Sequence, residues 1–166
     1  MSANLSRAEL RAAVEDVVQS GCEQLDAQRF AAWLETTAPE FRYRITAYSP
    51  DIRREMTWLD HDRAGLAAMV DLLPKHHVDG ALWLRQAVVG SVVVEGDDRV
   101  RAVSALAIFH TAVDVGDAHL DGGSSRLFAV GRYDDRLHFS GRHWRLLERT
   151  VKLDTRQLGV GSHLIV

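Results

Sequence analysis

The chain has 166 residues, of which 46% are hydrophobic and 26% charged, and its formal net charge is −3 at pH 7. These values are typical of one ordinary globular domain with a sizeable core, and they exclude disorder over any long stretch. The slightly acidic balance argues against a nucleic-acid binder, which would carry a basic face. We therefore expect a single domain over residues 1–166.

The cysteine content and the N-terminal residues predict the compartment. Cys22 is the only cysteine, so no internal disulfide can form, which fits a reducing cytoplasm. Its place on the apolar side of a predicted helix favours a buried small side chain. The first residues contain no basic segment followed by an apolar run, and no stretch approaches the length of a membrane span. We expect a cytoplasmic protein with no signal peptide and no membrane partner.

The N-terminal part predicts two helices. Ser6-Arg7-Ala8-Glu9 has the pattern of a capping box. Apolar residues then recur at helical spacing, so the first helix should run from Arg7 to Leu25. A shorter helix is predicted near Gln28–Glu35, with Phe30, Trp33 and Leu34 on one side.

A short strand and a third helix are predicted next. Phe41–Ile45 alternates apolar and polar residues, which indicates a strand. We interpret Ala47–Leu59 as irregular. Asp60 is the predicted cap of the third helix, and Pro74 its predicted end. The buried face of that helix is marked by Leu66, Met69, Val70 and Leu73.

The remainder predicts long strands, over Leu82–Val94, Arg99–Thr111, Ser125–Phe139 and Trp144–Leu153. Glu95–Asp98 and Ser140–Arg142 supply turns, Asp114–Gly123 is a polar loop, and Thr155–Val166 stays unassigned. In the second long strand we place Val103, Ala105, Ala107 and Phe109 on one face and Arg101 on the other, so that His110 points outward if Phe109 faces the helices. Helices first and antiparallel strands later predict an α+β fold, with the helices on one face of a curved sheet.

Two adjacent stretches near the C-terminal end carry a family resemblance. Val130-Gly131-Arg132-Tyr133-Asp134-Asp135-Arg136-Leu137 is followed by Trp144-Arg145-Leu146-Leu147-Glu148-Arg149-Thr150-Val151-Lys152-Leu153-Asp154. This pair resembles the last strands of the β (small) subunits of Rieske non-haem iron ring-hydroxylating dioxygenases, which belong to the NTF2-like superfamily. The likeness covers roughly Val14 to Asp154. The segment from Ile45 to Asp62 is more similar to small subunits of methanesulfonate monooxygenase hydroxylases.

The resemblance implies a fold and a function. The fold would be an NTF2-like (cystatin-like) cone. The function would be that of a structural β subunit in the terminal oxygenase component of an aromatic-ring-hydroxylating dioxygenase, in aromatic compound catabolism. A separate α subunit would carry the Rieske [2Fe–2S] cluster and the mononuclear iron. The subunits would assemble as an α3β3 hexamer, or the β subunits alone as a trimer. The similarity of the segment from Ile45 to Asp62 to methanesulfonate monooxygenase small subunits implies an alternative. The chain would then be the β subunit of an alkanesulfonate monooxygenase hydroxylase.

Metal chemistry in this chain is limited by its ligands. A Rieske cluster needs two Cys and two His, and Cys22 is alone. A mononuclear iron site needs two His and one carboxylate facing an open position. His76 and His77 with Asp79, or His61 with Asp60 and Asp62, offer these residue types. Neighbouring residues point in different directions, so we expect no metal site in this chain. The resemblance implies that such a subunit binds no cofactor and contributes no catalytic residue.

Four arginines on the last two strands form a candidate partner interface. Arg132 and Arg136 share parity on one strand, and Arg145 and Arg149 share parity on the next, so each pair should lie on one face of its strand. Such a patch is typical of an ion-paired docking surface, to which an outward His110 would add. The alternative is a solvated face with salt bridges inside the chain, each worth roughly 0–1 kcal/mol.

A small stand-alone isomerase or dehydratase of the SnoaL or ketosteroid-isomerase kind is the rival hypothesis. It needs a His, Asp or Tyr inside the cone with a pKa moved by burial. The pocket candidates are Tyr43, Asp62 and His110, with Tyr48 as a fourth. Each has a simpler interpretation: Tyr43 as a core residue with its hydroxyl at the edge, Asp62 as a first-turn carboxylate, and His110 as a surface residue. A ligand-binding or scaffolding NTF2-like module is a third hypothesis.

Overall fold

The computed structural model describes residues 5–76, 81–113, 123–157 and 165–166. Three helices and six strands are formed by them, and the predicted α+β class is confirmed. The elements in chain order are α1 (Arg7–Asp26), α2 (Phe30–Glu35), β1 (Arg42–Ser49), β2 (Arg54–Asp62), α3 (Arg63–His76), β3 (Leu82–Val94), β4 (Arg99–Thr111), β5 (Ser125–Phe139) and β6 (Trp144–Leu153). The predicted loop at 114–122 and residues 158–164 of the tail lie outside the described residues.

The capping box predicted for α1 is present. The Ser6 N–H donates to Glu9 Oε2 at 2.8 Å, and the Glu9 N–H donates to Ser6 Oγ at 3.3 Å. The buried face of α1 is formed by Val14, Val18, Gly21, Cys22 and Leu25, so the predicted burial of Cys22 is confirmed. A Cβ on Gly21 would stand 3.3 Å from Trp33 Nε1. The glycine therefore lets α1 lie close to α2.

The six strands form one sheet in the order β2-β1-β6-β5-β4-β3. The β1–β6 pair is parallel and the other neighbouring pairs are antiparallel. The four long strands have the predicted bounds. The turn between β5 and β6 contains Gly141 at φ +86°, a conformation that glycine adopts without steric cost. One side of the sheet, the inner face, packs on the helices and shares one hydrophobic cluster with them.

Strand β2 is absent from the sequence-based prediction, which treated Ala47–Leu59 as irregular. The structure corrects this: β1 continues to Ser49, and β2 returns antiparallel to it as the edge of the sheet. No residue of β2 is fully buried, and a bulge at Trp58 shifts its register. An edge strand with little burial has no regular apolar alternation for a pattern to detect.

The ends of α3 also differ from the prediction. Asp60 does not cap the helix; Asp62 does, because the Gly65 N–H donates to Asp62 Oδ1 at 2.8 Å. The helix does not end at Pro74 but continues to His76. A proline removes one main-chain hydrogen bond and bends a helix, but it does not have to end it.

The faces of β4 are the reverse of the prediction. Its buried residues are those with even numbers: Val100, Ala102, Ser104, Leu106, Ile108 and His110. Val103, Ala105, Ala107 and Phe109 therefore lie on the outer face. Arg101 lies on the same face as these residues, so its predicted place on the opposite face is wrong. The even-numbered and the odd-numbered residues of β4 both include apolar side chains, so the alternation of the sequence did not identify which set faces the core. His110 consequently points inward, and its predicted outward position is wrong.

Candidate functional site: a buried ion pair and an exposed sheet face

A buried ion pair occupies the interior of the cone. Arg149 Nε and Nη2 donate to Asp135 Oδ1 and Oδ2 at 2.8 Å and 2.7 Å, and neither side chain is exposed. The guanidinium carbon lies 3.8 Å from the centroid of the Tyr133 ring. Burial alone would lower the pKa of Arg149, but the charge and hydrogen bonds of Asp135 outweigh it and hold the pKa above its usual value. The Arg149 guanidinium therefore stays charged although it is fully buried.

A second buried arginine joins the sheet to α1 and to the end of the described chain. Arg85 Nη1 donates to Asp26 Oδ1 at 2.5 Å, and the Arg85 main-chain N–H donates to Asp26 Oδ2 at 2.9 Å. Its Nη2 donates to the main-chain carbonyl of Ile165. Among the described residues, the buried arginines are Arg85 and Arg149, and each is paired with an aspartate.

Tyr43 lies in the same interior, on β1. It is fully buried, and its hydroxyl donates to the Val166 carbonyl at 2.6 Å. Burial raises the pKa of this phenol above its usual value. The expectation that Tyr43 is a core residue is confirmed, but its hydroxyl is enclosed and does not lie at an edge.

The pocket candidates do not converge on one site. Asp62 is exposed and caps α3 beside the β2 edge of the sheet. His110 lies towards the other edge, on β4, with its ring 4.8 Å from that of Trp83. Tyr48 is 56% exposed. These positions provide no acid–base pair around a shared cavity, and the isomerase or dehydratase hypothesis is not favoured.

The four predicted interface arginines do not share a face. Arg132 and Arg136 are exposed on the outer face, whereas Arg149 is completely buried. Arg145 is half-buried, with Nη1 3.5 Å from the Thr37 carbonyl. The alternation of inward and outward side chains is interrupted on β6. Leu137 pairs with Leu146 and Arg136 pairs with Glu148, so Leu147 forms a bulge between these two pairs. One extra residue reverses the faces of a strand on either side of it.

The exposed arginines are paired within the chain. Arg136 contacts Glu148 at 3.1 Å and Glu95 at 3.3 Å, and Arg132 lies 3.5 Å from Asp154. Asp134 accepts from Arg101 and Lys152, each at 2.7 Å. The alternative of intrachain salt bridges therefore describes these residues, and their role in docking stays a prediction.

An apolar patch on the outer face was not foreseen from the sequence. It joins three strands in register: Leu84 pairs with Phe109 and Phe109 with Leu127, while Val88 pairs with Ala105. Leu84, Val88 and Leu127 are 52%, 68% and 54% exposed. We call this set, with Leu82 and Ala107, the outer apolar patch. The sequence feature that could have revealed this patch is that both faces of β4 carry apolar residues.

Two further findings concern metals and membranes. Within the described residues, no three His, Cys, Asp or Glu side chains are grouped as a metal site would require. His77 and Asp79 of the predicted candidates lie outside that part of the chain. None of the described helices is long and apolar enough to cross a membrane.

Comparison with known proteins identifies the family. Residues 6–150 match the family model of the SnoaL-like domain, and the chain belongs to this family. A solved NTF2-like protein with a cystatin-like fold from Novosphingobium aromaticivorans has a TM-score of 0.59 at 18% identity, covering 94% of this chain and 89% of that one. The predicted NTF2-like cone is confirmed.

Within that family, two matched relatives are named as oxygenase β subunits. The chain is 35% identical over 152 residues to the methanesulfonate monooxygenase hydroxylase subunit beta of Methylosulfonomonas methylovora, covering 91% of this chain and 84% of that protein. It is 28% identical to the 2-aminobenzenesulfonate 2,3-dioxygenase subunit beta of an Alcaligenes species, covering 91% and 95%. A structure reported as the beta subunit of an aromatic-ring-hydroxylating dioxygenase from Novosphingobium aromaticivorans has a TM-score of 0.75 at 24% identity, covering 97% and 100%. The chain is thus a member of the oxygenase β-subunit group, as its last two strands indicated.

Proposed function

We propose that this chain is the non-catalytic β subunit of an oxygenase hydroxylase component, and that it stabilises the assembly of a catalytic α subunit. The observation that carries the proposal is the 35% identity to a hydroxylase β subunit over nine-tenths of the chain. The α subunit would hold the Rieske cluster and the mononuclear iron. With one cysteine, this chain does not fit a Rieske cluster, which takes two Cys and two His ligands.

The outer apolar patch supports an assembly role. Its apolar side chains lie side by side on β3, β4 and β5. Contiguous apolar surface of this kind is typical of a protein–protein contact, because water-exposed hydrocarbon is costly when no partner covers it. We propose that this face contacts another subunit of the hydroxylase.

The charged residues of the outer face border the patch. In one register row, Val88 is followed by Ala105, Arg132 and Lys152 on successive strands. An apolar centre with a polar rim is the usual anatomy of a subunit interface. The arginines at the border of the patch would then determine which subunit binds and in which orientation, more than how tightly it binds.

The branch of the family suggests a substrate class for the complex. Both curated relatives are named for sulfonates, one aliphatic and one aromatic. We propose that the hydroxylase containing this chain oxidises an organosulfonate. The choice between mono- and dihydroxylation would rest with the α subunit.

The assembly would be an α3β3 hexamer in the cytoplasm. Co-expression with a candidate oxygenase α subunit from the same source tests the proposal. We expect one complex of equal stoichiometry that contains iron and acid-labile sulfide, and an iron-free β subunit when this chain is expressed alone. Failure of the two chains to co-purify, or stoichiometric iron on the lone chain, would overturn it.

A further inference from the structure

Helix α1 covers part of one edge of the sheet with its polar side chains. Strand β3 is the last strand on that side, so the main-chain groups that point away from β4 need partners from elsewhere. Side chains of α1 supply them: Asp26 Oδ2 accepts from the Arg85 N–H at 2.9 Å, Gln19 Nε2 donates to the Ala87 carbonyl at 2.6 Å, and Arg11 donates to the carbonyls of Val89 and Gly90. Up to Gly90, therefore, this edge of the sheet is closed by the chain itself.

The last part of β3 has no such cover. The strand continues beyond Gly90 to Val94. The Glu95 N–H donates to the Arg99 carbonyl at 2.9 Å, which turns Glu95 towards the neighbouring strand. Because the residues of an antiparallel strand alternate in this respect, the main-chain groups of Val92 and Val94 point away from β4. The N–H and C=O groups of both residues have no hydrogen-bond partner among the residues that the structure describes.

A groove of about 560 Å³ lies beside this free edge, between β3 and the start of α1. Its apolar walls include Leu5, Leu10, Val92 and Val94. Leu5 is 37% and Val94 63% exposed, so apolar surface is open to solvent next to unpaired main-chain groups. Arg7 also lines the groove, and this exposed side chain has no ion pair with any described residue.

We infer that the free end of β3 receives an extended segment of the α subunit, which adds to the sheet as a further strand and brings an acidic side chain to Arg7. The identity of the donor chain rests on the proposed function. The surface that receives the segment, Leu5, Arg7, Leu10, Val92 and Val94, is here called the β3 edge site.

Each element of this inference has its own observation. The unpaired N–H and C=O groups of Val92 and Val94 match the main chain of an extended polypeptide, which presents donors and acceptors at the same spacing. A small apolar molecule would leave these groups without partners. The groove accepts alternate side chains of the added strand, and the unpaired charge of Arg7 favours a carboxylate among them.

Hydrogen exchange of the native chain tests the inference without any substitution. The readout is the exchange of single amides, followed by mass spectrometry in the lone chain and in its complex with the α subunit. The amides of Val92 and Val94 should exchange about tenfold more slowly in the complex, because a new hydrogen bond must open first. The Val93 amide faces β4 and is the internal control, since it should be protected in both states. Unchanged exchange in the complex would overturn the inference, and so would a lone chain in which both amides are already protected.

A proline substitution tests the main-chain contact itself. Val94→Pro removes an N–H that bonds to nothing within the described chain, so the melting temperature should change little. Its affinity for the α subunit should fall about fivefold through the lost hydrogen bond. Val94→Ile is the matched control, because it keeps the N–H, the apolar surface and the β-branched shape.

A charge reversal covers the case in which the proline disturbs the hairpin. Arg7→Glu should weaken assembly about fivefold at low salt, and high salt should restore most of the loss. Arg29→Glu makes the same change of charge at an exposed position at the other end of α1 and should have no effect.

The outcomes separate this inference from the proposed function. If the native chain forms no complex with the α subunit, the proposed function fails and the donor chain with it. If the native complex forms and both Val94→Pro and Arg7→Glu assemble as well as their controls, the β3 edge site alone is refuted. A dimer of the lone chain that Val94→Pro dissociates would assign the edge to a second copy and would also refute the inference.

Discussion

Arg149 and Asp135 face each other across β6 and β5, and two parallel hydrogen bonds of 2.8 Å and 2.7 Å join them in a space that water does not reach. The attraction between two charges is strong there because the surroundings screen it poorly, but each charge has also lost its hydration. The pair is consequently a point at which the stability of the fold is sensitive to a single change.

Breaking this pair from one side should be far more damaging than removing both members. Arg149→Met or Asp135→Leu leaves an unmatched buried charge and should lower the free energy of unfolding by about 3–5 kcal/mol. The double variant should lose much less than the sum of the two. Urea denaturation of the four proteins measures the coupling. Additive losses would indicate that the two side chains do not interact in the folded protein.

Gly131 should not tolerate a side chain. A Cβ there would stand 2.3 Å from the Lys152 carbonyl oxygen and 2.9 Å from Leu153 Cα, so β5 and β6 would have to separate. Gly131→Ala should cost at least about 2 kcal/mol of unfolding free energy. Gly96→Ala is the matched control, since nothing lies within 4 Å of a Cβ at that position. Equal melting temperatures for the two variants would contradict the close approach.

Asp62 should act as a helix cap and not as an acid or base. Its Oδ1 accepts the Gly65 N–H at 2.8 Å. Asp62→Ala should therefore reduce the free energy of unfolding by about 0.5–2 kcal/mol, whereas Asp62→Asn keeps the acceptor and should be nearly neutral. Chemical denaturation of both variants makes the comparison. A larger loss in Asp62→Asn than in Asp62→Ala would exclude the capping role.

Asp134 should make the fold sensitive to acid. The hydrogen bonds of Arg101, joined by those of Lys152, lower the pKa of its carboxyl from an ordinary 3.8 to about 2. A carboxyl with a lower pKa in the folded state adds stability above the unfolded pKa, and this is lost as the pH falls from about 4 to about 2. Its two partners are nearly half exposed, so solvent screening limits the contribution to about 1 kcal/mol.

Asp134→Asn should accordingly flatten the stability profile between pH 4 and pH 2. Thermal unfolding at a series of pH values measures the slope. The control is Glu40→Gln, an exposed carboxyl with no ion pair among the described residues. The same slope in Asp134→Asn and in the native chain would mean that these ion pairs are not formed in solution.

The outer apolar patch should be required for assembly with the α subunit. Leu84→Lys introduces a charge at its centre and should abolish co-purification of the proposed complex, because a buried unmatched charge opposes association. Leu72→Lys on α3 is a matched control, since Leu72 is 49% and Leu84 52% exposed. The melting temperature of each isolated chain should change little. Full assembly with Leu84→Lys would place the subunit contact elsewhere.

The elements of the fold could be predicted where local chemistry marks their ends. The Gly141 turn sets the ends of β5 and β6, and the capping box sets the start of α1. Strand β2 escaped prediction because it is an exposed edge strand with a bulge, so burial imposes no alternation on it. The inner face of β4 escaped because its outer face is apolar as well, which is the feature that we propose serves docking.

The sequence by itself determined the class of the domain, its family and the lack of ligands for a Rieske cluster, since these depend on residue types, short spacings and a single Cys22. The tertiary structure decided that Arg149 lies inside, apart from Arg132 and Arg136, because the bulge at Leu147 reverses the faces of β6. It also decided that Tyr43 and Arg85 hold Ile165 and Val166 within the cone. Contacts between such distant positions follow from strand register and packing, which no local pattern encodes.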